Sequence, residues 1–149
     1  MPHKLPASLV HLKDLFMYVC LMEENEISSA LCMMRSSPVL EAIIFQMYDN
    51  DKLPIRQTLP NFLDPEGHPD LKLDRLETLV IEMFSNLPVE MDFVKLIMAK
   101  SPLLKKVRIE LNDNVSVEEE LEMLRELVLN PFHRASPSAK LTIVRPYAF

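Results

Sequence analysis

The chain of 149 residues contains a single glycine, Gly67, so it cannot form the glycine-rich loop that wraps a phosphate. Its two cysteines, Cys20 and Cys32, are too few and too loosely spaced for a disulfide framework or a zinc site. Four histidines, His3, His11, His68 and His133, are scattered, and none sits in a metal or nucleophile motif. No uninterrupted apolar run approaches the ~20 residues needed to cross a bilayer. The first residues, Met1 to Pro6, have no apolar core and no cleavage pattern, which argues against a secretion signal. A formal charge of −6 and a pI near 5.2 disfavour electrostatic capture of nucleic acid, which needs clustered Lys and Arg. These absences leave a soluble intracellular protein, cytoplasmic or nuclear, with no cofactor, no metal and no catalytic site.

A leucine-spaced phrase supplies the positive signal. It reads Leu12-x-x-Leu15-x-Met17-x-x-Cys20, then Leu40-x-x-Ile43-x-Phe45-x-x-Tyr48. It returns as Leu76-x-x-Leu79-x-Ile81-x-x-Phe84 and Leu104-x-x-Val107-x-Ile109-x-x-Asn112. A weaker fifth copy, Lys140 to Val144, keeps the alternation without the leading leucine. In the leucine-rich repeat such phrases are short strands stacked in parallel, and the last position turns the chain out of the sheet. The leading leucines lie 28, 36 and 28 residues apart, so the array is irregular. A longer unit recurs as well. Arg35-Ser-Ser-Pro-Val-Leu-Glu41 matches Lys100-Ser-Pro-Leu-Leu-Lys105, with the prolines 64 residues apart, and Ser136-Pro137 precedes the fifth strand.

Helices are expected on the return paths. Ile27, Ala30, Leu31 and Met34 fall on one face of a helix from Asn25 to Arg35. Val89, Phe93, Leu96 and Ile97 do so from Pro88 to Lys100. From Ser116 to Leu129 a Ser116–Glu119 capping box and acidic first turn precede Val117, Leu121, Leu124 and Val128, the expected core stripe. The run Glu118 to Glu120 is read as a solvated first turn and not as a cation site. Residues 49–72 hold four prolines and the glycine. They are read as an irregular segment anchored by Leu59, Phe62 and Leu63 in preference to a functional loop. The fold expected is α/β, an irregular leucine-rich-repeat solenoid with a parallel sheet of about five strands and three helices.

Two segments of the last third carry a resemblance. Ala99-Lys-Ser-Pro-Leu-Leu-Lys-Lys-Val-Arg-Ile109 and Pro131-Phe-His-Arg-Ala-Ser-Pro-Ser-Ala-Lys-Leu141 resemble the FBD region of plant F-box proteins. Leu5 to Lys13 and Ser37 to Leu40 look like the leucine-rich repeats that precede FBD in F-box/FBD/LRR-repeat proteins. The resemblance divides the chain into a repeat-like region, 1–98, and an FBD-like region, 99–149, continuous with the same solenoid. It implies a receptor-like role in an SCF-type ubiquitin ligase, in which the repeats select the target. An F-box would precede the repeats, and nothing before Leu9 encodes one, so binding of a Skp-type adaptor is not supported. A truncated paralogue or a fragment without an F-box, lacking selective binding or competing with full-length relatives, is the alternative.

Alternation then predicts a binding surface. With Leu15, Met17, Ile43, Phe45, Leu79, Ile81, Val107 and Ile109 pointing inward, their neighbours point outward. The outward face carries a middle row of Phe16, Ile44, Val80, Arg108 and Thr142. Tyr18, Gln46, Glu82 and Glu110 form one flanking row; Asp14, Ala42, Thr78 and Lys106 form the other. Adjacent apolar residues in the middle row point to a protein partner. The edge before the Leu12 strand is expected to be uncapped and prone to self-association, whereas Pro146 to Phe149 would close the other end.

Overall fold

The computed structural model describes residues 11–20, 23–48, 67–85, 88–112, 115–129, 135–136 and 138–145. Five strands, β1 (Asp14–Val19), β2 (Ala42–Met47), β3 (Thr78–Phe84), β4 (Lys106–Leu111) and β5 (Lys140–Val144), form one sheet in chain order. Every neighbouring pair is parallel. Parallel strands need crossovers, and three helices are among them. These are α1 (Glu24–Arg35) after β1, α2 (Pro88–Ala99) after β3 and α3 (Val117–Leu124) after β4. Residues 49–66, with Leu59, Phe62 and Leu63, lie outside the described residues, as do Pro146 to Phe149.

Alternation decides which side of each strand is dry. Leu15, Ile43, Leu79 and Val107 share one register row, and Phe45, Ile81 and Ile109 another. All are buried against the helices, and Met17, on the edge strand, is half-buried. Ile27, Ala30, Leu31 and Met34 of α1 and Val89, Phe93, Leu96 and Ile97 of α2 close the core from the other layer. Both helices therefore bury the faces that their periodicity predicts.

The third helix differs. Ser116 caps it as expected, its Oγ accepting the Glu119 N–H at 3.1 Å. Yet Val117, Leu121 and Leu124 are exposed, at 67%, 49% and 37%, while Met123 and Leu127 are buried. The sequence offers two overlapping apolar stripes here, and spacing alone does not rank them. A π-helical turn over Arg125–Leu129 follows α3 directly and changes the phase that a uniform 3.6-residue period assumes. Met123→Ala is accordingly expected to cost about 2–5 kcal/mol in urea unfolding, and Leu121→Ser less than about 0.5 kcal/mol.

The recurring Ser-Pro phrase is a recurring turn. Leu40 N–H donates to Ser37 O, Leu104 N–H to Ser101 O and Ala139 N–H to Ser136 O, at 3.3, 3.3 and 3.2 Å. Leu73 to Leu76 forms the same turn without serine or proline, at 3.2 Å. Ser37 and Ser101 are buried, and their hydroxyls donate to carbonyls one helical turn back, Met33 O and Ile97 O. These bonds satisfy the buried hydroxyls and tie each turn to the helix before it. After the turns the backbone stacks: Lys13 O, Glu41 O and Glu77 O each accept two N–H groups from the next repeat.

Where strands end, a helix carboxylate takes over. Cys20 N–H donates to Glu26 Oε1 and Ser85 N–H to Glu90 Oε1, both at 2.9 Å. Before β3, Arg35 Nη2 meets His68 Nδ1 at 2.6 Å, which pins the segment around buried His68 to the end of α1. Within β3, Met83 has φ 60°, and the β3–β4 register shifts between Ile81 and Phe84. A side chain in this left-handed region costs about 1–2 kcal/mol that glycine avoids. Met83 is also exposed, so Met83→Gly is expected to raise the melting temperature; a fall would mean that its contacts outweigh the strain.

Candidate protein-interaction face

No helix among the described residues covers the other side of the sheet. Phe16, Ile44, Val80, Arg108 and Thr142 lie in one register row across all five strands. Phe16 is 50% exposed, Arg108 is exposed, and Ile44, Val80 and Thr142 are half-buried, as strand neighbours shield one another. Tyr18, Gln46 and Glu82 form the next row. Glu110 does not pair with Glu82, because the bulge at Met83 intervenes; it aligns with Val144 of β5 instead.

The aromatic corner is built locally. Phe16 and Tyr18 stand two residues apart on β1 and therefore on one face. Their rings meet edge to face, with centroids 5.1 Å apart and planes at 83°, and Tyr18 is 62% exposed. This pairing fixes two large rings at the sheet's edge strand before any partner arrives.

The opposite corner is cationic. The third row reads Asp14, Ala42, Thr78, Lys106 and Lys140, all in register. Lys106 and Lys140 are exposed neighbours on adjacent strands, with Arg108 two residues along β4. Arg108 Nε approaches Glu110 at 3.8 Å, a loose surface pair of little energetic worth. Lys140 is missing from the rows read off the sequence because the fifth phrase lacks its leading leucine. Aligning β5 on its own alternation would have placed it beside Lys106.

A second cluster involves Cys20, Glu23 and Glu26, whose potential ligand atoms lie within 4.8 Å of one another. One oxygen of Glu26 accepts the Cys20 N–H and the other accepts the Tyr48 hydroxyl. Burial pushes the Glu26 carboxyl up, but hydrogen bonds with Glu23, Tyr48 and the Cys20 N–H outweigh this and leave it lowered. The same contact drives the Tyr48 phenol up to about 12, chiefly through its hydrogen bond to Glu26. The cluster thus caps the turn after β1.

Its sign can be checked by titration. The raised phenol of Tyr48 contributes stability that is complete below its ordinary value of 10.0 and is lost as pH rises through about 12. The lowered Glu26 carboxyl contributes stability above its ordinary 4.5, lost as pH falls through its folded value. Phenolate absorbance should show a transition near pH 12 that Tyr48→Phe removes. Disappearance of that transition in Tyr18→Phe, with Tyr48 intact, would contradict the assignment.

Comparison with known proteins bears on this geometry. The FBD family profile matches residues 64–109, whose described part holds β3, α2 and the start of β4. Over this span the chain is similar to the FBD family. Val80, Glu82, Lys106 and Arg108 on the open face lie inside it. The match shares residues 99–109 with the span in which the resemblance was read, extends upstream of it, and does not include the Arg134 to Lys140 phrase. The chain is also similar to an F-box/FBD/LRR-repeat protein of Arabidopsis thaliana, 26% identical over 97% of its own length. It spans 34% of that relative, about a third. No solved structure matches. The FBD match and this similarity relate the chain to proteins of the F-box/FBD/LRR-repeat kind. No helix among the described residues is long and apolar enough to cross a membrane.

Proposed function

We propose that the chain is a non-catalytic recognition module, an irregular leucine-rich-repeat solenoid with an FBD region, that binds a protein through the open face of its sheet. One observation carries this reading. Phe16, Ile44 and Val80, from three adjacent strands, fall into a single register row on the face that the helices leave uncovered. An apolar stripe that could have been polar at little cost to folding is a feature of interfaces. Tyr18 and Gln46 extend it on one side, and Glu82, Arg108, Glu110 and Thr142 continue the surface across β3 to β5.

The similarity to an F-box/FBD/LRR-repeat protein supports a place for this face at the target-selecting end of an SCF-type ubiquitin ligase; the location that goes with this reading is the cytoplasm or nucleus. Docking on a Skp-type adaptor belongs to an F-box and is no part of the reading. The test is affinity capture from an Arabidopsis extract with the wild-type chain and with Phe16→Asp/Ile44→Asp/Val80→Asp, both shown folded by circular dichroism. A protein recovered by the first and lost from the second supports recognition by the face. Identical sets of proteins in both would instead favour a truncated paralogue without selective binding.

A further inference from the structure

The open face is chemically polarised, and this restricts what fits it. Its β1–β3 part is aromatic and aliphatic: Phe16, Tyr18, Ile44 and Val80. Its β4–β5 part, at the start of the strands, presents Lys106, Lys140 and Arg108. Lys106 and Lys140 stand directly opposite each other in register, a like-charge arrangement that works against strand pairing. Neither forms an ion pair with another described residue, whereas nearby Lys105 is taken by Glu77 at 2.5 Å. Three cations gathered on one corner of a chain with net charge −6 call for an anion from outside. Glu110 lies 3.8 Å from Arg108 and offsets it only loosely, Glu82 lies further along β3 and Asp14 lies on β1, so Lys106 and Lys140 are the cations that favour an acidic ligand at this corner.

Resting on the reading of this face as a recognition surface, we infer that its partner presents an extended segment with apolar side chains at one end and carboxylates at the other. The apolar end covers Phe16, Ile44 and Val80, and an Asp or Glu lies over Lys106, Arg108 and Lys140. Neighbouring strands are ~4.8 Å apart, so the step from β2, the centre of the apolar row, to between β4 and β5 is about 12 Å. An extended chain covers that in about four residues. The signature is thus an apolar residue followed, or preceded, by an acidic one about four positions away.

A random dodecapeptide library displayed on phage and selected on the full chain tests this, with enriched peptides synthesised and titrated by fluorescence anisotropy. Peptides with the apolar–acidic spacing should emerge, bind more weakly as salt rises, and lose about tenfold or more in affinity for Lys106→Glu/Arg108→Glu/Lys140→Glu. Enriched peptides that lack acidic residues and bind this variant unchanged would overturn the inference while leaving the face itself in place. Peptides that bind Phe16→Asp/Ile44→Asp/Val80→Asp as tightly as wild type would overturn the underlying reading. Displacement of the selected peptides by an oligouridylate would assign the cationic corner to nucleic acid and also refute the inference, as would a selection that enriches nothing.

Discussion

Ile43→Asp is expected to prevent folding, and Ile44→Asp, one residue along the same strand, to leave the chain folded. Ile43 is fully buried, between Leu15 and Leu79 in register, so an aspartate there would place a carboxylate among aliphatic side chains with no partner. The cost of such burial, several kcal/mol, is comparable to the whole stability of a domain, about 5–15 kcal/mol. Ile44 points to the open face beside Phe16 and Val80, where a charge keeps its water. Loss of strand preference there should cost about 1 kcal/mol. Far-ultraviolet circular dichroism and urea titration separate the outcomes. Equal effects of the two substitutions would mean that the face assignment is wrong.

The second large effect belongs to Phe45. Its ring is fully buried and lies 5.3 Å from that of Phe93 on α2, tilted by 59°, so it joins the sheet to the helix layer. Phe45→Ala should destabilise the chain by about 3–5 kcal/mol, through lost transfer energy and the cavity left behind. Phe93→Ala should cost a similar amount. A double-mutant cycle should show the two costs to be non-additive, with a coupling of about 0.5–1.5 kcal/mol for the ring pair. Strict additivity would show that the rings do not depend on each other for their packing.

The sheet was legible from the sequence for a specific reason. The leucine phrase repeats both its leading residue and its period of two, so lining up Leu15, Ile43, Leu79 and Val107 also lines up Phe16, Ile44, Val80 and Arg108. A one-residue slip would have exposed every core residue, and the aliphatic content of the inward rows leaves no second register. The first two helices were readable because each has one apolar face. The third was not, since Val117, Leu121 and Leu124 compete with Met123 and Leu127, and the π-helical turn after Leu124 is invisible in residue spacing.

Contacts between distant segments left less trace. The Ser-Pro phrase marked a repeat, but the buried hydroxyl bonds that explain its serines, Ser37 to Met33 O and Ser101 to Ile97 O, are properties of the folded turn. Glu26 and Glu90 look like ordinary helical carboxylates in the sequence; only the strand ends at Cys20 and Ser85 give them their work. The Arg35–His68 contact joins residues 33 positions apart across a proline-rich stretch with no periodicity to align them. On the open face, the cationic corner needed the pairing of β4 with β5, because no motif connects Lys106 to Lys140.

The most direct test replaces Tyr18, Ile44 or Arg108 with a photo-crosslinking amino acid and irradiates the folded chain in plant extract, with Val117 and Leu121 of α3 as exposed controls in the helix layer. Recognition through the sheet predicts one common adduct from the face positions, identified by mass spectrometry, and none from the controls. Adducts from Val117 or Leu121 alone, with the face positions silent, would place recognition elsewhere on the molecule and contradict the proposed function.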